Sequence, residues 1–133
     1  DYIPELSLVA ILNDKIVGYI LLSKIAIVSE DQKRYESLAL APVSVVPDHQ
    51  KQGVGKMLIT NALEKAKKLG YESVIVLGHK DYYPKFGFGL ASHWGIKAPF
   101  DVPEDHFMAI ELKQGSLDDK KGIVEYPPEF MSV

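Results

Sequence analysis

The sequence predicts an α/β fold with a mixed β-sheet, in the α+β sense, and three observations lead to this prediction. Apolar, β-branched segments dominate the chain up to residue 46. An amphipathic segment of helical period follows at residues 54–69, and an apolar strand-like segment at 72–77 comes directly after it. Strand, helix and strand within about 40 residues form a βαβ unit, whose strands run parallel. The 133 residues are predicted to form one domain, 1–133.

The chain begins with a predicted β-hairpin. Residues 6–12 and 16–28 are apolar runs rich in strand-forming residues, and the Asn-Asp-Lys sequence at 13–15 is a turn signal between them. Gly18 interrupts the second run, and an isolated glycine in a strand marks a candidate β-bulge.

A third strand is predicted just before the helix. Residues 29–37 are polar and are predicted to form a loop, whereas residues 38–46 are apolar and β-branched. Pro42 lies inside this strand. Because proline has no N–H group to donate to a neighbouring strand, Pro42 predicts a sheet edge, a bulge or a point where strand pairing stops.

The helix is predicted from the spacing of its apolar residues. Val54, Leu58, Ala62 and Ala66 recur at steps of four and lie on one face, while lysines and other polar residues occupy most of the other face. Gly70 follows as a C-terminal cap, and lysines in the last turn complement the helix dipole.

Fewer elements are predicted after the helix. Residues 72–77 and 107–112 read as strands, and residues 81–86 as one or two helical turns. Residues 92–100 belong to a loop of about 15 residues, long enough to suggest a functional role. The tail from Tyr126 onward is predicted to be extended or irregular because of its two prolines.

Composition excludes several classes of protein. The net charge of −3 argues against a non-specific nucleic-acid binder, which needs a basic surplus. No apolar run approaches the roughly 18 residues of a membrane-spanning helix, so no membrane partner is expected. The absence of cysteine excludes disulfides, thiolate metal sites and a cysteine nucleophile, and it fits a reducing cytoplasm.

A glycine-containing segment at the start of the helix predicts an anion site. Glycines before a helix let a phosphate approach its unpaired N–H groups. A P-loop is excluded because Gln50 and Met57 stand at its first glycine and its Ser/Thr position. A dinucleotide fingerprint is excluded because Leu58 replaces its third glycine. What remains is Gln50-x-x-Gly53-x-Gly55.

That pattern resembles the Q/R-x-x-G-x-G/A signature of the GNAT N-acetyltransferases. Residues 43–56 (VSVVPDHQKQGVGK) look like the acyl-CoA-binding segment of this family. Residues 43–88 together with 122–130 (GIVEYPPEF) resemble a bacterial subgroup of predicted N-acetyltransferases. The resemblance implies a GNAT fold, with a pair of splayed parallel strands and flanking helices. The family's N-terminal strand and helices are expected to be missing, because the chain looks as if it starts at the family's second strand.

The resemblance also implies which residues bind acetyl-CoA, the expected acyl donor. The strand segment Val43, Ser44 and Val45 would offer backbone groups to pantetheine, and Val45 N–H would bind the oxyanion. The pyrophosphate would be held by the backbone N–H groups of the glycine segment, with Lys56 as an auxiliary charge. That segment comprises Gln50, Lys51, Gln52, Gly53, Val54 and Gly55.

Tyr83 is the candidate catalytic acid. The sequence YYPKFGF at 82–88 resembles the family's Tyr-x-x-x-Gly-Phe segment, and Tyr83 stands four residues before Gly87. A phenol with a pKa of about 10 stays protonated at neutral pH and can donate to a leaving thiolate. Tyr82 is expected to have a packing role. The general base stays open between Glu36, His79 and water.

The expected reaction is transfer of acetyl from acetyl-CoA to a primary amine by direct attack in a ternary complex. The acceptor, a small molecule or a peptide, is not identified by the sequence, and the resemblance is compatible with a homodimer. Trp94 and Phe100 are candidates for the acceptor wall. No metal is expected, since His49, His79, His93 and His106 show no metal-ligand spacing. A serine hydrolase is excluded because G-x-S-x-G is missing. The alternative is a catalytically inactive acyl-CoA-binding sensor or interaction module.

Overall fold

Two sequence periods, one of two residues and one of three to four, divide the chain into strands and a helix. The computed structural model describes residues 2–50 and 53–127, and in it the amphipathic segment forms helix α1 (Val54–Lys68). The strands are β1 (Tyr2–Leu12), β2 (Lys15–Val28), β3 (Arg34–Val45), β4 (Ser73–Leu77), β5 (Gly89–Leu90), β6 (Ile96–Lys97), β7 (Phe107–Glu111) and β8 (Gly122–Glu125). Short 3-10 turns lie at Pro47–His49, Tyr83–Phe86, Ala91–Trp94 and Glu104–His106.

The strands form one mixed sheet in the order β5-β7-β4-β3-β2-β8-β6, and β1 pairs with β2 as well. Strands β3 and β4, on either side of α1 in the sequence, are parallel, as the βαβ pattern predicts. Most other pairs are antiparallel. The mixed sheet and its fold class are therefore confirmed.

Each face of the sheet has its own core. Because side chains alternate along a strand, Leu38 and Leu40 of β3 face α1, whereas Ala39 faces the opposite side. Helix α1 covers the first face with its buried residues Val54, Leu58, Ile59, Ala62, Leu63 and Ala66. The second face packs under the segments between β4 and β8, which contribute Ala91, Ile96, Phe107 and Leu117.

Two predictions of local structure are wrong, and one strand was not predicted. Strand β3 already begins at Arg34, since Arg34 bonds to Glu125 across the sheet and Ser37 is buried against the Ser73 hydroxyl at 2.7 Å. The predicted loop at 92–100 contains a 3-10 turn and strand β6. Strand β8 (Gly122–Glu125), which has no counterpart in the prediction, pairs with the β2 segment ending at Val28, and Tyr126 and Pro127 after it are irregular, as predicted. In each case strand pairing satisfies the backbone although the local sequence is polar or irregular.

Strands β3 and β4 stay together over only a short distance. Their ladder consists of Leu38 with Val74 and Ala39 with Ile75, after which β3 continues to Val45 without β4. At the same level, β3 carries a bulge against β2, since the pairing shifts where Ala41 and Pro42 oppose the single residue Leu21. The prediction from Pro42 of a bulge or a stop in pairing is confirmed, as are the splayed parallel strands.

At Gly18, both α1 and β3 lie very close to β2. The pairing of β1 with β2 shifts next to it, with Val17 as the extra residue, so the predicted bulge is confirmed. A Cβ at Gly18 would lie 2.8 Å from the Ser44 carbonyl oxygen and 3.2 Å from side-chain atoms of Val54 and Leu58. The missing side chain therefore sets the spacing between β2, β3 and the first turn of α1.

We expect Gly18→Ala to lower the free energy of unfolding by about 1–3 kcal/mol, the usual cost of overpacking a filled core. Urea unfolding measures this change. Gly89→Ala is the matched control, because in the described part of the chain a Cβ there meets only Trp94, at an ordinary 3.8 Å. Its stability should stay within about 0.5 kcal/mol of the parent chain. Equal stability of the Gly18 and Gly89 variants would contradict the close approach.

Candidate functional site

The start of α1 presents unpaired backbone N–H groups. Gly53 is the N-cap and adopts a left-handed conformation (φ 83°), which costs a residue with a side chain more than it costs glycine. The first intrahelical bond runs from Met57 N–H to the Gly53 carbonyl at 3.0 Å. The N–H groups of Val54, Gly55 and Lys56 therefore have no acceptor within the helix. Among the described residues no side chain caps them, and the first turn has no acidic residue, so this end of α1 can accept an anion.

The residues before Gly53 tie this loop to β3. The Gln50 side-chain amide donates to the Val45 carbonyl at 3.1 Å, and Gln50 N–H donates to Pro47 at 3.3 Å. Gln50 thus fixes the loop onto the end of the strand. Lys51 and Gln52, predicted to be part of the same cradle, lie outside the described residues.

The end of β3 turns its backbone toward the space that β4 leaves open. Val46 N–H donates to Val17 of β2 at 2.8 Å. Because successive residues of a strand direct their N–H groups to opposite edges, Val45 and Val43 direct theirs away from β2, toward the gap. Ser44 N–H points to β2 instead. Of the predicted pantetheine segment, two of the three N–H groups therefore face the gap.

Tyr83 lies at the end of β4, on the face that α1 covers. Its ring packs directly on Gly78, where any Cβ would overlap it, and meets Phe88 edge-on at 5.7 Å between ring centroids. Only 7% of the residue is exposed. Burial, with a smaller contribution from the neighbouring Tyr82 phenol, raises the pKa of Tyr83 above its ordinary value of about 10. The phenol is therefore protonated throughout the neutral range.

Tyr82 connects the Tyr83 turn to the start of α1. Its ring contacts Tyr83 edge-on at 5.2 Å, which agrees with the expected packing role. Its hydroxyl also lies 3.4 Å from the position that a Cβ would take at Gly55. The sequence analysis missed this second contact, because it depends on how α1 and the Tyr83 turn approach each other in space.

On the opposite face, a cavity of about 250 Å³ opens where β3 and β4 diverge. We call it the inter-strand cavity; its lining residues are Ala39, Leu40, Ala41, Ile75, Leu77, Phe100 and Tyr126. Phe100 and Tyr126 form its aromatic wall, with parallel rings whose centroids are 6.0 Å apart. Burial raises the pKa of Tyr126, so its phenol is a proton donor at neutral pH.

The candidate wall residues have separate positions. Phe100 lines the inter-strand cavity, whereas Trp94 packs against the core on that face of the sheet and is not among the residues that line the cavity. Sequence reasoning missed Leu77 and Tyr126. Leu77 could have been suspected as the last residue of an apolar strand, but only pairing of β8 with β2 brings Tyr126 to the gap.

Neither candidate base lines the inter-strand cavity. Glu36 faces an adjoining cavity of about 460 Å³, which also includes Tyr126, and lies 3.9 Å from Lys24. His79 is exposed beyond the end of β4, where its Nδ1 accepts from Asp81 N–H at 3.2 Å. Larger openings elsewhere, such as one of about 510 Å³ beside β6 and β8, are remote from the splayed strands.

The remaining histidines form no common site. His93 is exposed, and the rings of His106 and His79 lie 6.2 Å apart. Within residues 2–50 and 53–127, no three His, Asp or Glu side chains come together in a way that could hold a metal ion. In the same part of the chain, no helix has both the length and the apolar character needed to cross a membrane.

The sequence of the chain is similar to those of known and predicted acetyltransferases. Residues 1–88 match the acetyltransferase (GNAT) family. The uncharacterized N-acetyltransferase YjhQ of Escherichia coli K12 is 39% identical over 104 residues, which cover 77% of this chain and 57% of YjhQ. The uncharacterized N-acetyltransferase YhbS of the same strain is 29% identical over 116 residues, covering 87% of this chain and 68% of YhbS. The chain thus spans little more than half the length of YjhQ.

Solved structures show the same fold. YhbS from E. coli, in complex with CoA, superposes with a TM-score of 0.84 at 27% identity, covering 93% of this chain and 68% of YhbS. A GNAT family acetyltransferase from Brucella melitensis, in complex with acetyl-CoA, superposes with a TM-score of 0.72 at 27% identity, covering 93% and 67%. The anion-accepting start of α1, the splayed β3 and β4 and the family match over 88 of 133 residues lead to one conclusion: the chain belongs to the GNAT acetyltransferase family.

Proposed function

We propose that the protein transfers acetyl from acetyl-CoA to a primary amine by direct attack in a ternary complex. The observation that carries the proposal is the junction of three features. The unpaired N–H groups of Val54, Gly55 and Lys56 lie next to the gap into which Val43 and Val45 direct their N–H groups, and Tyr83 lies at the end of the facing strand. The two relatives solved with CoA and acetyl-CoA share this fold.

Each part has a role in binding the donor. The start of α1 binds the pyrophosphate through its N–H groups and its dipole, and exposed Lys56 adds positive charge. Gln50 holds the loop against Val45. Val43 and Val45 bind pantetheine as a neighbouring strand would, and Val45 N–H stabilises the oxyanion that forms during acyl transfer. Lys51 and Gln52 belong to the same proposal through the family motif.

The chemistry then requires few groups. The amine nitrogen attacks the thioester carbonyl carbon, and the tetrahedral intermediate collapses with cleavage of the carbon–sulfur bond. Tyr83 donates its phenolic proton to the departing thiolate, and the amine loses a proton to a base. We infer that this proton passes through water to Glu36 or His79, because both side chains are exposed and lie outside the inter-strand cavity.

The experiment measures release of CoA thiol from acetyl-CoA in the presence of a panel of amines, with mass spectrometry of the product. We expect acetylated amine and free CoA in equal amounts. Calorimetry of CoA binding is measured in parallel. CoA binding with no product from any amine or peptide would instead support the second candidate, an inactive acyl-CoA sensor, for which the described structure offers the same binding features.

A further inference from the structure

We propose that the inter-strand cavity selects acceptors whose amine is carried on an apolar group, such as an arylalkyl or branched alkyl amine. This inference rests on the proposed function and names the substrate class of the same site. The cavity opens where β3 leaves β4, directly before the β3 residues that face the gap. An amine entering there reaches the donor from the face opposite to α1.

The lining of the cavity determines what it can hold. Its lining side chains are aliphatic or aromatic, and Tyr126 supplies the hydroxyl among them. Leu77 and Phe100 are 45% and 40% exposed, so two large side chains present apolar surface at one opening. A cavity of about 150 Å³ with similar lining is enough to bind benzene. The 250 Å³ here accommodates an aromatic ring and its linking carbons.

The charged residues nearby do not favour a polycationic acceptor. Beyond Tyr126, Glu125 is paired with Arg34 at 2.6 Å, and Glu36 lies 3.9 Å from Lys24. Both pairs are about half exposed. Exposed ion pairs contribute only about 0–1 kcal/mol, so a distal ammonium group gains little from them. A second charge placed inside the inter-strand cavity would be desolvated without a carboxylate partner among the described lining residues.

The same lining assists the reaction. An ordinary alkylammonium has a pKa near 10.4 and must lose its proton before it can attack. An apolar surrounding disfavours the charged form and therefore lowers the pKa of a bound amine. The cavity thus favours the nucleophilic form of the acceptor, although neither candidate base lines it.

The test compares 2-phenylethylamine and 3-methylbutylamine with 1,4-diaminobutane and ethanolamine. With the parent chain and acetyl-CoA, kcat/KM should be at least tenfold higher for the apolar amines, equivalent to about 1.4 kcal/mol. Calorimetry with the CoA-saturated protein measures the affinity for the same amines, and this measurement requires no turnover. The apolar amines should also bind more tightly than 1,4-diaminobutane and ethanolamine.

Leu77→Asp and Phe100→Asp should reverse or abolish this preference by lowering kcat/KM and affinity for the apolar amines at least tenfold. Ile16→Asp is the matched control, since Ile16 is an exposed strand residue outside the cavity lining, and it should leave the preference intact. Circular dichroism checks that each variant is folded.

The outcomes separate the two hypotheses. Turnover that is equal or better with the charged amines, or a preference that survives both cavity substitutions, overturns the inference while acetyl transfer stands. Selective binding of apolar amines, with no product from these or any other amine or peptide of the panel, overturns acetyl transfer while the cavity assignment stands. Absence of both selective binding and product across the whole panel overturns both.

Discussion

Gly53→Glu is expected to weaken acetyl-CoA binding at least 100-fold, or by about 2.7 kcal/mol. The N–H groups of Val54, Gly55 and Lys56 are proposed to bind the pyrophosphate, and a carboxylate on Gly53 would occupy the same electropositive space. Apart from the chain neighbours of Gly53, no atom of residues 2–50 and 53–127 lies within 4 Å of a Cβ there, so the described structure leaves room for the new side chain. Isothermal titration calorimetry with CoA and with acetyl-CoA measures the loss.

Gly70→Glu provides a close control for this variant. Gly70 lies just beyond the other end of α1 and also has a left-handed conformation (φ 93°). Apart from its chain neighbours, no described residue comes within 4 Å of its Cβ position. Both substitutions carry the same left-handed strain of roughly 1–2 kcal/mol. The Gly70 variant should be destabilised and yet bind CoA with the parent affinity.

Charge and bulk can be separated with Gly53→Gln. If repulsion of the pyrophosphate dominates, the glutamine variant should retain much of the affinity that the glutamate variant loses. A glutamate at the N-cap would also stabilise α1 by about 0.3–1 kcal/mol, because its negative charge interacts favourably with the helix dipole. Loss of CoA affinity in Gly53→Glu would therefore not be explained by unfolding of α1. CoA affinity of Gly53→Glu equal to that of Gly70→Glu would disprove the pyrophosphate assignment.

The sequence predicted the half of the site that depends on local structure. The Gln50-x-x-Gly53-x-Gly55 pattern lies at a strand–helix junction, and the anion-accepting first turn of α1 was predicted from its glycines and the helix that follows them. The parallel β3 and β4 were predictable because a helix of this length connects them. Pro42 even marked the level at which the strands separate.

The acceptor side depends on contacts between distant segments. Tyr126 reaches the cavity only because β8 pairs with β2, although the two are nearly 100 residues apart in sequence. Residues 34–37 at the start of β3 were misread as a loop because the Arg34–Glu125 and Ser37–Ser73 contacts that stabilise them are likewise long-range. Periodicity and turn signals carry no information on such pairs.

The hydroxyl of Tyr83 is the proposed proton donor and can be removed without removing the ring. Tyr83→Phe should lower kcat about 100-fold, the lower end of what a positioned proton donor contributes, while the Kd for acetyl-CoA changes less than about twofold. The effect is not expected to be complete, since a thiol with a pKa near 8.5 can leave as a thiolate without help. Single-turnover and steady-state rates of CoA release with the best amine of the panel measure the loss.

The pH profile adds a second criterion. Because burial raises the pKa of Tyr83 above about 10, the phenol keeps its proton as the pH rises and would lose it only on passing that raised value. The ratio of parent to variant kcat should therefore be constant between about pH 6 and pH 9, where a donor of ordinary histidine pKa would titrate. A ratio that falls across this interval would assign the proton to another group.

Two further variants distinguish chemistry from packing. Tyr71→Phe removes the hydroxyl of a partly buried tyrosine that packs at the same core, away from the splayed strands, and should keep the parent kcat. Tyr82→Phe removes the hydroxyl that lies near Gly55, so any effect should appear in the affinity for acetyl-CoA rather than in kcat. Loss of turnover in Tyr82→Phe but not in Tyr83→Phe would identify Tyr82 as the proton donor. That outcome would show that proximity to the start of α1, not the ring packed on Gly78, determines which phenol meets the thiolate.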